Sequence, residues 1–287
     1  MTDLGQILAA SAARLRAAGV EGARRDARVL IGHLLGIGQA EMVARPERGL
    51  SADEVTAVET AIARRAAREP VSRILGSREF FGLEFGLGAE TLDPRPDSET
   101  LVEAALAAIV GRDSPRVLDL GTGTGCLLLA VLAERTDASG VGVDAAEGAV
   151  GVATANADAL GLAARAVFLQ RDWTLPSWRD GLGRFDLILA NPPYIPDADI
   201  ASLEPEVRDF EPRRALAGGL DGLDPYRLLI PALPAMLAPG GVAGFEFGIG
   251  QEGAVTALLV GAGLEVTATP KDLGGVIRCA FGVATIP

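Results

Sequence analysis

The chain has 287 residues, 49% of them hydrophobic, and a formal net charge of −12. That length and apolar content make a folded protein with one large domain or two separate cores, and exclude a disordered chain. No apolar run reaches the ~18 residues of a membrane span, the opening Met1-Thr2-Asp3-Leu4 lacks a basic and apolar leader, and Cys126 and Cys279 are too few for a disulfide framework or a Cys-rich zinc site, so a cytoplasmic location without membrane association is expected.

The first ~70 residues read as helices. Leu4, Ile7, Leu8, Leu15 and Ala18 recur on one face before Gly19, and a second helix over 23–35 precedes Gly36 and Gly38. Ser51-Ala52-Asp53-Glu54 is a capping-box pattern that opens a helix toward Arg68, and Pro70 ends it. The spacing predicts a small helical bundle over 1–75. The one histidine, His33, lies in its apolar stretch 29–35, where a structural role is expected. Catalysis by a histidine base and a His-rich metal centre are thereby disfavoured.

Segment 78–87 is aromatic and punctuated by glycine, which suits a β-hairpin within a linker over 76–96. Pro94-Arg95-Pro96 breaks the chain and a helix resumes over 97–110. From Arg116 onward strands and helices alternate. Strands are predicted at 116–120, 140–144, 166–170, 185–190, 241–247, 264–268 and 276–282, and helices at 126–135, 147–160, 226–237 and 251–262. Such alternation means an α/β domain over 97–287 with a doubly wound, mostly parallel sheet. The last two strands lack a helix-sized spacer, so the seventh is expected antiparallel beside the sixth.

The first of these strands runs into Gly121-Thr122-Gly123-Thr124-Gly125 and then a helix. Such a turn lets a nucleotide-like ligand approach the backbone over the strand end. Cys126 stands where the dinucleotide fingerprint needs Gly or Ala, which weakens NAD or FAD, and no Gly-Lys-Ser/Thr follows to make a P-loop. Asp144 ends the second strand at the placement that binds ribose hydroxyls. Asp172 and Trp173 follow the third strand; the acid can accept from an adenine amino group and the indole can flank the ring. Asn191-Pro192-Pro193-Tyr194 follows the fourth. Two prolines cannot continue a strand, so the chain leaves the sheet stiffly, presenting an amide side chain, a freed carbonyl and a ring. Two acceptors side by side suit a substrate bearing an –NH2 group.

Charge is unevenly placed. Residues 1–78 hold 12 Arg against 9 acids, a net +3, and the remainder carries a net −15. A nucleic-acid binder should show the opposite sign around its site, so direct nucleic-acid binding is not expected.

Taken together, these residues resemble the class I S-adenosylmethionine-dependent methyltransferases, with Asp119 to Gly125 as the first motif. Asn191-Pro192-Pro193-Tyr194 narrows the resemblance to enzymes that methylate adenine, cytosine or glutamine amide nitrogens. Glu79-Phe80-Phe81-Gly82, Pro94-Arg95-Pro96-Asp97-Ser98-Glu99, Phe210-Glu211-Pro212 with Ala215-Leu216, and Gly218-Gly219-Leu220-Asp221-Gly222 are similar to the HemK/PrmC family of release factor glutamine methyltransferases. The resemblance spans nearly the whole chain. It departs at Glu246-Phe247-Gly248, where the family often carries Glu-His-Gly.

The resemblance implies a Rossmann-like fold of seven strands with the last antiparallel. It also implies S-adenosylmethionine as donor, S-adenosylhomocysteine as product, no metal, and methylation of the glutamine in the Gly-Gly-Gln motif of class 1 peptide chain release factors. Gly121, Thr122, Gly123, Thr124, Gly125, Asp144, Asp172, Trp173 and Asn191 would hold the donor. The Asn191 side-chain oxygen and the Pro192 carbonyl would accept the two amide N–H groups, Pro193 would stiffen the carbonyl, and Tyr194 would pack over the amide. Asn191, Pro192 and Tyr194 are thus the expected catalytic set. The helical domain is expected to recruit the protein substrate, or else only to stabilise its neighbour. Rival readings are a DNA or RNA amino-methyltransferase, a glutamine methyltransferase of a ribosomal protein, and a donor-binding protein without catalysis.

Overall fold

The computed structural model describes residues 2–284, so Met1 of the expected 1–75 domain and 285–287 of the expected 97–287 domain lie outside the described residues. Its contacts divide the chain into two units, Met1–Ser77 with Glu204–Phe210, and Arg78–Leu203 with Glu211–Pro287.

The first unit is helical: α1 (Leu4–Ala17), α2 (Ala23–Leu35), α3 (Gln39–Ala44), α4 (Ala52–Ala66) and α5 (Val71–Leu75). The Ser51–Glu54 capping box opens α4, and a second box the sequence reading missed opens α1, where the Gln6 amide donates to Asp3 Oδ1 at 2.7 Å. Leu4, Leu15, Leu30, Ile31, Val58 and Ile62 form the core. His33 is exposed on the last turn of α2 and does not belong to that core. Arg65 is buried, with Nε on Asp26 Oδ2 at 2.9 Å and Nη2 on Glu206 Oε1 at 3.0 Å.

The chain next forms a two-stranded hairpin of β1 (Ser77–Phe80) and β2 (Leu83–Gly86), which apart from Ser77 belongs to the second unit. Phe81 and Gly82 both have positive φ, +53° and +74°, the sign pattern of a tight hairpin turn matched to strand twist. A 3-10 turn at Pro96–Ser98 leads into α6 (Glu99–Ala108). There follow β3 (Arg116–Leu120), α7 (Cys126–Glu134), β4 (Ser139–Asp144), α8 (Glu147–Ala159), β5 (Ala166–Gln170) and β6 (Phe185–Ala190). The short α9 (Pro205–Arg208) falls in the first unit. The chain then forms α10 (Asp224–Leu229), α11 (Leu233–Met236), β7 (Leu237–Glu246), α12 (Glu252–Gly261), β8 (Leu264–Ala268) and β9 (Cys279–Ala284).

The sheet order is β5-β4-β3-β6-β7-β9-β8, parallel except for β9, which runs antiparallel between β7 and β8. The seven strands and the antiparallel insertion of the last are as the sequence predicted. The helix expected over 226–237 is instead broken into α10, a 3-10 turn and α11, because Pro231 and Pro234 withhold backbone donors. The last strand starts three residues late: Asp272 Oδ1 accepts from the Val276 amide at 2.9 Å and closes a turn where strand was expected.

Both sheet faces are covered. Leu101, Val102 and Leu127–Leu132 pack on one, and Tyr226, Leu229, Leu233, Val255 and Leu259 on the other. Strand order reverses between β3 and β6, so their C-terminal ends flank the crevice where open α/β sheets bind ligands.

Candidate active site

The glycine turn follows β3. Gly121 has φ +76°, and a Cβ there would lie 3.1 Å from the Trp173 indole. At Gly125 (φ +81°) a Cβ would lie 3.1 Å from Leu129 and 3.2 Å from Ala153, so this glycine lets α7 pack closely. Backbone amides of Gly123 and Ala146 donate to Asp144 Oδ2 (3.0 Å) and Oδ1 (2.9 Å). Each Asp144 oxygen keeps acceptor capacity for a diol. Burial raises its pKa, opposed by the amides of Ala146 and Gly123. Beneath the turn Asp119 is fully buried and accepts from the Thr122 hydroxyl at 2.7 Å; burial pushes its carboxyl up to about 7.

Asn156 on α8 holds the turn from behind. Its Nδ2 donates to the Thr124 carbonyl at 2.9 Å and to the Gly86 carbonyl at 3.1 Å, and its Oδ1 accepts from the Gly86 amide at 2.8 Å.

After β5, Asp172 Oδ1 accepts from the Thr174 hydroxyl (2.6 Å) and amide (3.0 Å), and Oδ2 accepts from Arg214 at 3.3 Å. These bonds, Thr174 first, hold its pKa below the usual carboxylate value. An adenine amino group would share Asp172 with Arg214. Trp173 beside it is half-buried.

β6 ends at Ala190, and Asn191 Nδ2 donates to Ser98 Oγ at 3.1 Å. Pro192 is buried. The Tyr194 carbonyl accepts from Gln251 Nε2 at 3.0 Å, and its ring lies against Gly248, where a Cβ would meet Cδ2 at 3.1 Å. Burial, then the nearby Glu246, pushes the Tyr194 phenol up to about 12. Beyond it the Ile195 amide donates to the Leu216 carbonyl and Gly218 donates back to Ile195, which anchors the 216–222 loop beside the strand end.

Glu246 ends β7 on the neighbouring strand. It is buried, with the side chains of Ser98 and Asn191 beside its carboxyl. Burial pushes that carboxyl up to about 7. Glu211 is likewise buried; it accepts from the Asp93 amide at 3.2 Å and from Arg95 at 3.1 Å.

All the sequence-predicted site residues except Gly125, Pro192 and Tyr194 line one cavity of about 520 Å³, together with Ser98, Arg95 and Arg214. That volume falls within the ~300–1,000 Å³ of small-molecule sites. Among the described residues no group of three or more His, Cys, Asp or Glu could hold a metal, and no helix is long and apolar enough to cross a membrane. Sequence reasoning missed Asn156 and Glu246, and took Ser98 only as part of a stretch that carries the family resemblance. A buried acid at a strand's C-terminal end was the one available signal for Glu246.

Residues 6–76 match the family model described as PrmC N-terminal domain, and residues 112–209 match one described as Methyltransferase domain. A Release factor glutamine methyltransferase of Rhodospirillum rubrum is 55% identical over 276 residues, covering 96% of this chain and 83% of that protein. One of the same name from Bradyrhizobium diazoefficiens is 46% identical over 271 residues, covering 93% and 90%. Among solved structures, a methyltransferase from Pyrococcus furiosus aligns with a TM-score of 0.52 at 16% identity, covering 79% of this chain and 98% of that one. The hMettl16 catalytic domain aligns with a TM-score of 0.57 at 17% identity, covering 79% and 84%. At such identity these two structures speak for the fold, which is the Rossmann-like methyltransferase fold.

Proposed function

The chain belongs to the family of release factor glutamine methyltransferases, and from that membership we propose that it methylates the side-chain amide nitrogen of a glutamine in a peptide chain release factor. The Gly-Gly-Gln glutamine of class 1 factors is the intended acceptor. The observation that carries the reading is that Asn191 lines the same cavity as the glycine turn and Asp144.

The residues fit S-adenosylmethionine. The turn lets a ligand approach the backbone, Asp144 offers acceptors to a ribose diol, and Trp173 offers an aromatic wall. Bound there, the donor supplies a methyl group on a sulfonium, already activated for transfer.

An amide nitrogen is a weak nucleophile, so the protein's work is positioning. Asn191 Oδ1 and the Pro192 carbonyl accept the two N–H bonds of the glutamine amide and aim its nitrogen. These acceptors strengthen as the N–H groups become more acidic during attack, which stabilises the transition state over the ground state. When bound, the donor would supply the methyl group for the new nitrogen–carbon bond and take the electrons of its carbon–sulfur bond as S-adenosylhomocysteine, while the glutamine nitrogen would give one proton to solvent. No histidine base is needed.

The helical residues 1–75 serve substrate recognition, 76–96 link, and 97–287 carry the chemistry; a cytoplasmic location follows from a release-factor substrate. A nucleobase amino group would suit the same acceptors, but the net −15 beyond residue 78 disfavours it. The test is mass spectrometry of a release factor incubated with this protein and donor. A gain of one CH2 on the motif glutamine is expected; transfer to nucleic acid or to a ribosomal protein instead would overturn the reading.

A further inference from the structure

We propose that Gln251 is a positioning residue that pins the far end of Asn191-Pro192-Pro193-Tyr194, so that the Pro192 carbonyl stays aimed at the methyl-accepting nitrogen. The proposal rests on the acceptor role given to that carbonyl above.

Gln251 stands between β7 and α12. Its half-buried side chain meets three separate segments at the C-terminal edge of the sheet. Oε1 accepts from the Gly248 amide at 2.9 Å, just beyond β7. Nε2 donates to the Tyr194 carbonyl at 3.0 Å, just beyond β6, and to the Gly222 carbonyl at 3.4 Å in the 216–222 loop. All three partners are backbone groups. A backbone N–H only donates and a carbonyl only accepts. The Gln251 amide therefore has one workable orientation, and a half-turn would break all of these bonds at once.

The bonds converge on the peptide unit that joins Tyr194 to Ile195. Its carbonyl accepts from Gln251, and its N–H donates to the Leu216 carbonyl at 3.0 Å. The unit is thus held at both ends. Upstream, β6 holds Ala190 between its two neighbouring strands, and the rings of Pro192 and Pro193 fix two φ angles. With both ends of the tetrapeptide tied and two torsions locked, little freedom is left to the Pro192 ψ angle that directs its carbonyl. Glycine permits the close approach: Gly222 has φ +78°, and a Cβ there would run into the Tyr194 carbonyl.

Neither helix capping nor substrate contact accounts for this side chain. Gln251 is the N-cap residue of α12, yet its side chain makes no capping hydrogen bond. It does not line the cavity either. Its visible use is to hold Tyr194 in place.

The test uses the full chain carrying Gln251→Met, which keeps the length of the side chain and removes its hydrogen bonds, and Gln251→Glu, which keeps the acceptor for Gly248 and turns the donor into an acceptor facing two carbonyls. With release factor as substrate, kcat is expected to fall on the order of 10- to 100-fold in Gln251→Met, the scale of a small misplacement at the reacting groups, and at least as far in Gln251→Glu. KM for the release factor should change less than kcat, and affinity for S-adenosylhomocysteine should stay within about twofold of the wild type. The chain has two tyrosines, Tyr194 and Tyr226, so tyrosine isotope-labelled at its carbonyl carbon gives two NMR signals, of which that of Tyr194 should move in both variants. Unchanged kcat in either variant, or a Tyr194 signal that stays in place, overturns the proposal. So does a fall in kcat matched by an equal fall in donor affinity, the mark of a general loss of structure. If the wild type methylates no release factor, the functional reading fails, and the Tyr194 signal still decides whether Gln251 holds the tetrapeptide.

Discussion

The Gly123 amide donates to Asp144 Oδ2 at 3.0 Å, so the carboxylate proposed to hold the ribose also holds the turn that lies over it. Asp144→Ala removes both functions at once. Donor affinity is expected to fall ~10- to 100-fold, the range for losing hydrogen bonds to a charged group. Calorimetric titration with S-adenosylhomocysteine measures this, and an unchanged affinity would contradict the ribose assignment.

Asn191→Ala separates binding from chemistry. It deletes one acceptor for the glutamine amide and leaves Asp144 and the glycine turn intact. Turnover should drop on the order of 10² or more, with donor affinity within about twofold of the wild type. Single-turnover methyl transfer to a release factor is the measurement; near-normal rates would end the proposed role.

Asn156→Ala probes the support behind the turn. The substitution strands the Thr124 carbonyl and both backbone groups of Gly86. Each buried polar group left unpaired costs ~1–3 kcal/mol. A lower urea midpoint is expected, accompanied by weaker donor binding because Thr124 belongs to the turn. A stability loss with unaltered donor affinity would show that the turn keeps its shape without this strut.

Two buried carboxyls set the pH dependence of stability. Asp119 and Glu246 each have a pKa raised to about 7, chiefly by burial. Folded, they keep protons that the unfolded chain has already released. Their contribution is therefore fully present below the ordinary carboxylate range near ~4 and is lost as pH rises through about 7, with a slope of up to ~1.4 kcal/mol per pH unit for each group. Urea unfolding from pH 5 to 8 should show this decline, and replacing Asp119 with Asn should flatten part of it.

Much of this site is local and therefore legible. Glycines at alternate positions after a strand, an acid ending the next strand and two prolines after a third each act through their own backbone. Contacts between distant segments are another matter. Ser98 meets Asn191 across 93 residues and Asn156 meets Gly86 across 70, and no periodicity encodes either. Register decides which residue stands level with Asn191, and register comes from packing of the whole sheet. The broken helix around Pro231 shows the opposite failure: a local signal was present, but apolar periodicity outweighed it in the reading.

Residues 204–210 count with the helical unit although their chain neighbours do not, and Glu206 is their anchor, meeting Arg65 at 3.0 Å and Arg68 at 2.7 Å. The helical unit is therefore a discontinuous module, visited twice by the chain. It cannot be grafted onto another methyltransferase by cutting one peptide bond. A chimera that exchanges residues 1–77 alone would set foreign side chains opposite Glu206, so α9 and its two arginines have to be inherited together, in a gene as in a design.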